Sequence, residues 1–210
     1  MNIKEILIES KALSVNTKKP YTFSSGILSP IYIDNRILIS EPRYFIIIVN
    51  TIIRTIKKND IQFDKIAGTS TAGIPWASFL AYKLKMPMIY VRNEAKDHGK
   101  KKLIEGRLSK DERVLVIEDL VSTGSSVINT IKIIKNEGGI VNSCIAILTY
   151  NINESKVKFE EEKVNLFTLT NIDKILSYMV KKKTIEKEDK KSVLDWKENS
   201  IEWGAKYGFK

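Results

Sequence analysis

The sequence predicts an α/β fold, a central and mostly parallel sheet flanked by helices, and three observations carry that reading. Short apolar runs recur along the chain, among them MPMIYVR (86–92), RVLVIEDL (113–120), IVNSCIAILTY (140–150) and VNLFTLT (164–170). They are continuous rather than alternating, as expected of strands covered on both faces. Segments with apolar residues at helical spacing separate them, and Gly/Ser/Thr loops follow two of the strands.

The elements follow in order. IKEILIESKAL (3–13) has apolar residues at helical spacing with Glu and Lys on the other side, which predicts a helix. YTFSSG (21–26) and SPIYIDNR (29–36) read as short extended segments joined by a Ser/Gly turn. Ser40 and Glu41 before Pro42 mark a helix start, and the pattern stays strongly apolar through Lys58. KIAGTSTAGIP (65–75) reads as a short buried strand entering a polar loop, with a helix through about Leu84. MPMIYVR is the next strand and leads into a basic, polar stretch. RVLVIEDL is a third strand, VSTGSS its loop, and VINTIKIIKNEGG a helix closed by a glycine pair. IVNSCIAILTY and VNLFTLT complete the sheet. With no repeat, low-complexity linker or composition break, residues 1–210 are expected to form a single domain with small terminal additions.

The 210 residues include 35 Lys/Arg and 25 Asp/Glu, a net charge of +10. At 43% hydrophobic and 29% charged, the composition argues against wholesale disorder. A single cysteine, Cys144, forms no internal disulfide, so a reducing, cytoplasmic setting is expected. No apolar run approaches the ~20 residues that span a bilayer. Lys4, Glu5 and Glu9 interrupt the N-terminus, so a signal peptide is not expected.

The excess charge asks for an anionic partner. Residues 93–110 hold six Lys/Arg against three Asp/Glu, and 181–210 hold nine against six. Neither stretch carries alternating aromatics, a helix-turn-helix or zinc-finger spacing. Nucleic acid, a membrane surface or a small polyanion such as a phosphorylated substrate could answer the charge, and in the 181–210 tail dispersed surface lysines account for it without one.

Two loops suit that polyanion. Glu118-Asp119-Leu120-Val121-Ser122-Thr123-Gly124-Ser125-Ser126 leaves the third strand and opens a helix. Backbone N–H groups at a helix start, hydroxyls and a glycine suit a phosphate dianion. The adjacent carboxylates could bond sugar hydroxyls or hold Mg²⁺. Gly68-Thr69-Ser70-Thr71-Ala72-Gly73 is a second small, hydroxylated loop that could take another phosphate. Neither GxxxxGK[ST] nor GxGxxG is present, which disfavours ordinary nucleoside triphosphate and dinucleotide sites.

VLVIEDLVSTGSS resembles the 5-phosphoribosyl-1-pyrophosphate (PRPP) motif of type I phosphoribosyltransferases. SSGILSPIYIDNR (24–36) resembles the N-terminal substrate segment of the orotate phosphoribosyltransferases, and YVRNEAKDHGKKKLIEG (90–106) their mobile catalytic loop. GTSTAGIP is similar to the family's pyrophosphate loop. The four segments lie in the family's order between about residues 21 and 150.

The resemblance implies the type I phosphoribosyltransferase-like fold, with an N-terminal substrate-binding hood (about 1–40) and a C-terminal helical extension (about 171–210). It implies transfer of ribose 5-phosphate from PRPP to orotate, giving orotidine 5′-monophosphate and pyrophosphate. Leu120, Val121, Ser122, Thr123, Gly124, Ser125 and Ser126 would surround the 5-phosphate, and Glu118 and Asp119 would face the ribose hydroxyls. Thr69, Ser70 and Thr71 would hold pyrophosphate with Mg²⁺, the ion carried mainly by the substrate and water, with no residue named as its ligand. Arg92, Lys96 and His98 would reach the pyrophosphate across a homodimer. Lys96, His98 and Asp119 are the implied catalytic residues, and Ser122, Ser24 and Tyr32 the implied orotate contacts. Neither nucleic acid nor membrane is an expected partner. Two rival readings are a phosphoribosyltransferase for another base and a PRPP-sensing regulator that binds nucleic acid.

The chain departs from the family pattern in places. Asn93 and Ser24 stand where some members have lysine, and Leu148-Thr149-Tyr150 where some have an arginine reaching the orotate carboxylate. Arg36 could replace that cation or pair with Asp34 or Glu41. Lys100, Lys101 and Lys102 could contact the pyrophosphate or only raise the local potential. Cys144 and Trp76 read as packing residues, and Trp196 and Trp203 as anchors for a C-terminal helix.

Overall fold

A computed structural model describes residues 1–23, 25–92 and 103–209. The chain begins with α1 (Ile3–Glu9), β1 (Leu13–Val15), β2 (Tyr21–Thr22), β3 (Leu28–Ser29), β4 (Ile31–Ile33) and a 3-10 helix (Asn35–Ser40). Then come α2 (Pro42–Lys58), β5 (Lys65–Thr69), α3 (Gly73–Leu84), β6 (Met88–Val91), β7 (Ile104–Glu105), β8 (Arg113–Val121) and α4 (Ser125–Asn136). The chain continues with β9 (Ile140–Thr149), α5 (Asn153–Glu161), β10 (Asn165–Asn171), α6 (Ile172–Lys181), α7 (Lys187–Glu198) and α8 (Ser200–Lys206).

The chain divides into two compact units, one of residues 42–169 and one that joins residues 1–41 to 170–210. In the first, six strands form a sheet in the order β10-β9-β8-β5-β6-β7. β5 is parallel to β6 and β8, β8 is parallel to β9, and the short edge strand β7 is antiparallel to β6. The mostly parallel α/β architecture read from the apolar runs is the one observed. Ala67, Val116, Ile131, Ile134, Cys144 and Ala146 lie in one buried cluster, so Cys144 serves as packing. Trp76 is fully buried in α3.

Chain order explains where this sheet can bind. From β5 the chain crosses to β6 on one side, then returns to place β8 and β9 on the other. The direction of winding therefore reverses between β5 and β8. Parallel sheets collect ligands beyond the carboxyl ends of strands at such a reversal. Gly68 lies beside Ile117 in the register, so the two polar loops leave neighbouring strands at nearly the same level.

In the second unit β1 pairs with β4, and β2 with β3. The helix expected over 3–13 ends early. Ser10 caps α1, Lys11 takes a left-handed φ of 60°, and Leu13 turns into a strand opposite Ile33. Terminal segments meet within this unit: the Tyr178 hydroxyl donates to Glu5 at 2.9 Å and the Trp196 indole N–H to the Leu28 carbonyl at 2.9 Å. Trp203 is buried and donates to the Ser192 carbonyl at 2.9 Å, so both tryptophans anchor C-terminal helices.

Candidate functional site at the strand reversal

β8 delivers Glu118 and Asp119 to the reversal point and the loop beyond them to the start of α4. Gly124 caps that helix at φ +80°, a conformation that favours glycine, and no side chain caps its first N–H groups. Those groups remain for an anion. Ser122, Thr123, Ser125 and Ser126 are exposed around them, and the Thr123 and Ser125 hydroxyls lie 3.2 Å apart. Val121 takes part through its backbone only: its side chain is in the core, and its carbonyl accepts from the Tyr150 N–H at 3.0 Å.

The β5 loop is positioned by close backbone packing. A Cβ on Gly73 would fall 2.5 Å from the Ile117 carbonyl oxygen, and one on Gly68 2.8 Å from the Ile74 Cα. Glycine at both places lets the start of α3 lie against β5 and β8. Thr69 is buried, Ser70 half-buried and Thr71 exposed, and the Ser70–Thr71 peptide is cis.

Glu118 is only 6% exposed, and its Oε1 accepts from the Asp119 N–H at 2.9 Å. Burial, and then the neighbouring Asp119 charge, pushes the Glu118 carboxyl well above the ordinary carboxylate range. A carboxyl raised in this way keeps its proton to higher pH, and while protonated it can donate a hydrogen bond as well as accept one. The Thr69 hydroxyl faces this carboxyl outside hydrogen-bond geometry and finds no other partner among the described residues. β5 and β8 thus meet at a buried carboxyl and a buried hydroxyl.

Residues 37–183 match the phosphoribosyl transferase domain family. The orotate phosphoribosyltransferase of Coxiella burnetii is 40% identical over 201 residues, covering 96% of either chain. That of Listeria innocua is 40% identical over 202 residues, covering 96% of this chain and 97% of its own. This chain belongs to the orotate phosphoribosyltransferase family. Among solved structures, the orotate phosphoribosyltransferase of Aeropyrum pernix aligns at a TM-score of 0.74 and 25% identity, over 84% of this chain and 97% of its own. The UMP synthase of Leishmania donovani aligns at 0.79 and 26% identity, over 93% of this chain and 41% of its own.

The other family positions fall as follows. Arg92 ends the β6 segment and pairs with Glu105 at 3.4 Å. Lys96, His98, Asn93 and Lys100 to Lys102 lie outside the described residues, as does Ser24. Tyr32 is 41% exposed in the terminal unit, its ring 5.5 Å from that of Tyr21. Of the alternatives for Arg36, the ion pair with Asp34 is present, with two side-chain bonds of 2.7 and 2.9 Å, and it holds the Asp34 carboxyl below its usual range. Leu148, Thr149 and Tyr150 are all buried, and burial raises the Tyr150 phenol.

One contact at the Glu118–Ser126 loop was not legible in the sequence. Lys158, on α5, places its ammonium 2.8 Å from the Ser125 hydroxyl and 2.6 Å from Glu154. Two apolar residues, Val157 and Phe159, give α5 too little of a stripe to announce a helix. The separation of 33 positions between Lys158 and Ser125 leaves no local signal of their meeting.

Proposed function

We propose that this protein transfers the 5-phosphoribosyl group from PRPP to a ring nitrogen of orotate, giving orotidine 5′-monophosphate and pyrophosphate in pyrimidine biosynthesis. The observation that carries the reading is the meeting of the Glu118–Ser126 and Thr69–Gly73 loops at one strand reversal, in a chain 40% identical along its length to named orotate enzymes. The α4 start and the hydroxyls of Ser122 to Ser126 take the 5-phosphate. Glu118 and Asp119 take the ribose hydroxyls, and Thr69 to Thr71 the pyrophosphate.

The bond from C1′ to the pyrophosphate oxygen breaks with its electron pair leaving on that oxygen. The orotate nitrogen forms the new bond to C1′ and gives up its proton. Positive charge grows on the sugar and negative charge on the leaving group, so cations aimed at pyrophosphate lower the barrier. Arg92, Lys96 and His98 are assigned that task, and a histidine there can also donate a proton or a charged hydrogen bond.

Mg²⁺ fits the donors at hand. The Asp119 carboxyl and the hydroxyls of Thr69 to Thr71 are hard oxygen groups of the kind Mg²⁺ takes. Held there with the substrate, Mg²⁺ would supply positive charge to offset the negative charge growing on the pyrophosphate.

A homodimer with shared sites follows the family resemblance, and an exposed apolar surface favours it. Ile46 on α2 and Tyr82 on α3 are 51% and 87% exposed beside the stacked Phe45 and Phe79 rings. A cytoplasmic setting suits the free, buried Cys144. No helix of the described residues is long and apolar enough to cross a membrane. Steady-state assays with orotate, uracil and hypoxanthine test the base assignment: orotate should give the highest kcat/KM, and a higher value for either rival would reassign the enzyme.

A further inference from the structure

We propose that Lys158 is a positioning residue for the 5-phosphate subsite, acting through the Ser125 hydroxyl. The inference rests on the phosphoribosyl-transfer reading and adds to it a cation from a helix that none of the recognised motifs includes.

α5 runs alongside the phosphate loop. A Cβ on Gly124 would lie 3.5 Å from the Ser155 side chain and 3.8 Å from the Phe159 ring. Ser155 and Phe159 are buried on this face, and the Ser155 hydroxyl donates to the Ile152 carbonyl at 2.8 Å. Lys158, three residues after Ser155, shares the face and extends to Ser125.

A lysine ammonium has donors and no acceptor, so Lys158 donates and Ser125 accepts. The hydroxyl proton of Ser125 must then point elsewhere. Thr123 Oγ1 lies 3.2 Å from Ser125 Oγ, and the remaining direction is the loop that receives the phosphate. The ammonium therefore turns Ser125 into an oriented donor and polarises it. It also adds one positive charge beside the start of α4, where a dianion is already favoured.

A purely structural role explains less. Lys158 and Glu154 form an exposed i,i+4 ion pair, with side chains 27% and 55% exposed, and such pairs contribute little to stability. Glu154 is better read as the counter-charge that holds the ammonium over the loop.

The test compares the wild-type protein with Lys158→Ala, Lys158→Arg and Ser125→Ala. Lys158→Ala should raise KM for PRPP about fivefold or more with kcat within about twofold, as for loss of a charge-assisted contact made equally in ground and transition states. Lys158→Arg should recover most of that loss. Lys158→Ala made in the Ser125→Ala background should add much less than in wild type, because the two act through one bond. Calorimetry with ribose 5-phosphate should show weakening by a similar factor, while pyrophosphate binding stays unchanged. An unchanged KM and ribose 5-phosphate affinity in a folded Lys158→Ala protein would overturn the proposal, as would equal weakening toward pyrophosphate. A wild-type protein that binds ribose 5-phosphate but turns over no orotate would overturn the base assignment alone. Wild-type protein that binds neither PRPP nor ribose 5-phosphate would overturn both.

Discussion

Gly73 and Ile117 join the two candidate phosphate loops: a Cβ on Gly73 would fall 2.5 Å from the Ile117 carbonyl oxygen. The obstacle is backbone, so α3 or β8 has to move to admit a side chain. Gly73→Ala should lower stability by about 1–3 kcal/mol, the usual range for overpacking, and raise KM for PRPP several-fold. Thermal unfolding and steady-state kinetics check this, and wild-type values in both would show that the contact is not limiting.

Glu118 makes a pH-dependent prediction. Its carboxyl is raised well above the 4.5 of an ordinary glutamate, so the folded state holds a proton that the unfolded chain releases. Its contribution to stability is fully present below that ordinary value and is lost as pH rises through the folded one. Glu118→Gln keeps the neutral shape without this cost. The melting temperature of the variant should exceed that of wild type by a margin that widens from pH 4.5 toward mildly alkaline solution, while PRPP binding weakens. A margin constant across that range would show that Glu118 is not held protonated.

Asp64 behaves in the opposite sense. Its side chain takes two bonds from Arg113, at 2.6 and 2.9 Å, and that guanidinium lowers its carboxyl from 3.8 to about 2. The stability it contributes is present above pH 3.8 and is lost as pH falls through about 2. Asp64→Asn should lower the melting temperature at neutral pH and remove that part of the acid loss. Arg113 begins β8 and the loops lie beyond its other end, so kcat/KM at neutral pH should stay at the wild-type value.

Lys96 and His98 carry the leaving-group chemistry in the proposed reaction. Lys96→Ala and His98→Ala should each lower turnover by about tenfold or more with little change in melting temperature. A normal kcat in either removes that residue from the mechanism. Mixing a Lys96→Ala chain with a Ser125→Ala chain should restore part of the activity if sites are shared between copies, and subunit exchange without restoration argues against sharing.

Much of the sheet was legible because β6, β8 and β9 are continuous apolar runs bounded by polar loops. The candidate anion loops were legible because glycine and hydroxyl residues follow strands directly. The facing of Thr69 and Glu118 was not, since parallel register across 49 residues brings them together and neither residue advertises a partner. α5 and the Lys158 contact were hidden for a different reason. That helix is fixed by Ser155 and Phe159 against the neighbouring loop rather than by its own periodicity. The early end of α1 turned on Lys11 in a left-handed conformation, a backbone choice that local propensity does not favour.

The central claim is phosphoribosyl transfer to orotate, and the ultraviolet absorbance of orotate tests it most directly. With folded protein, Mg²⁺ and PRPP, the orotate band should fall with time while orotidine 5′-monophosphate and pyrophosphate form in equal amounts. A band that stays constant under those conditions, with the protein folded and PRPP bound, would contradict the account.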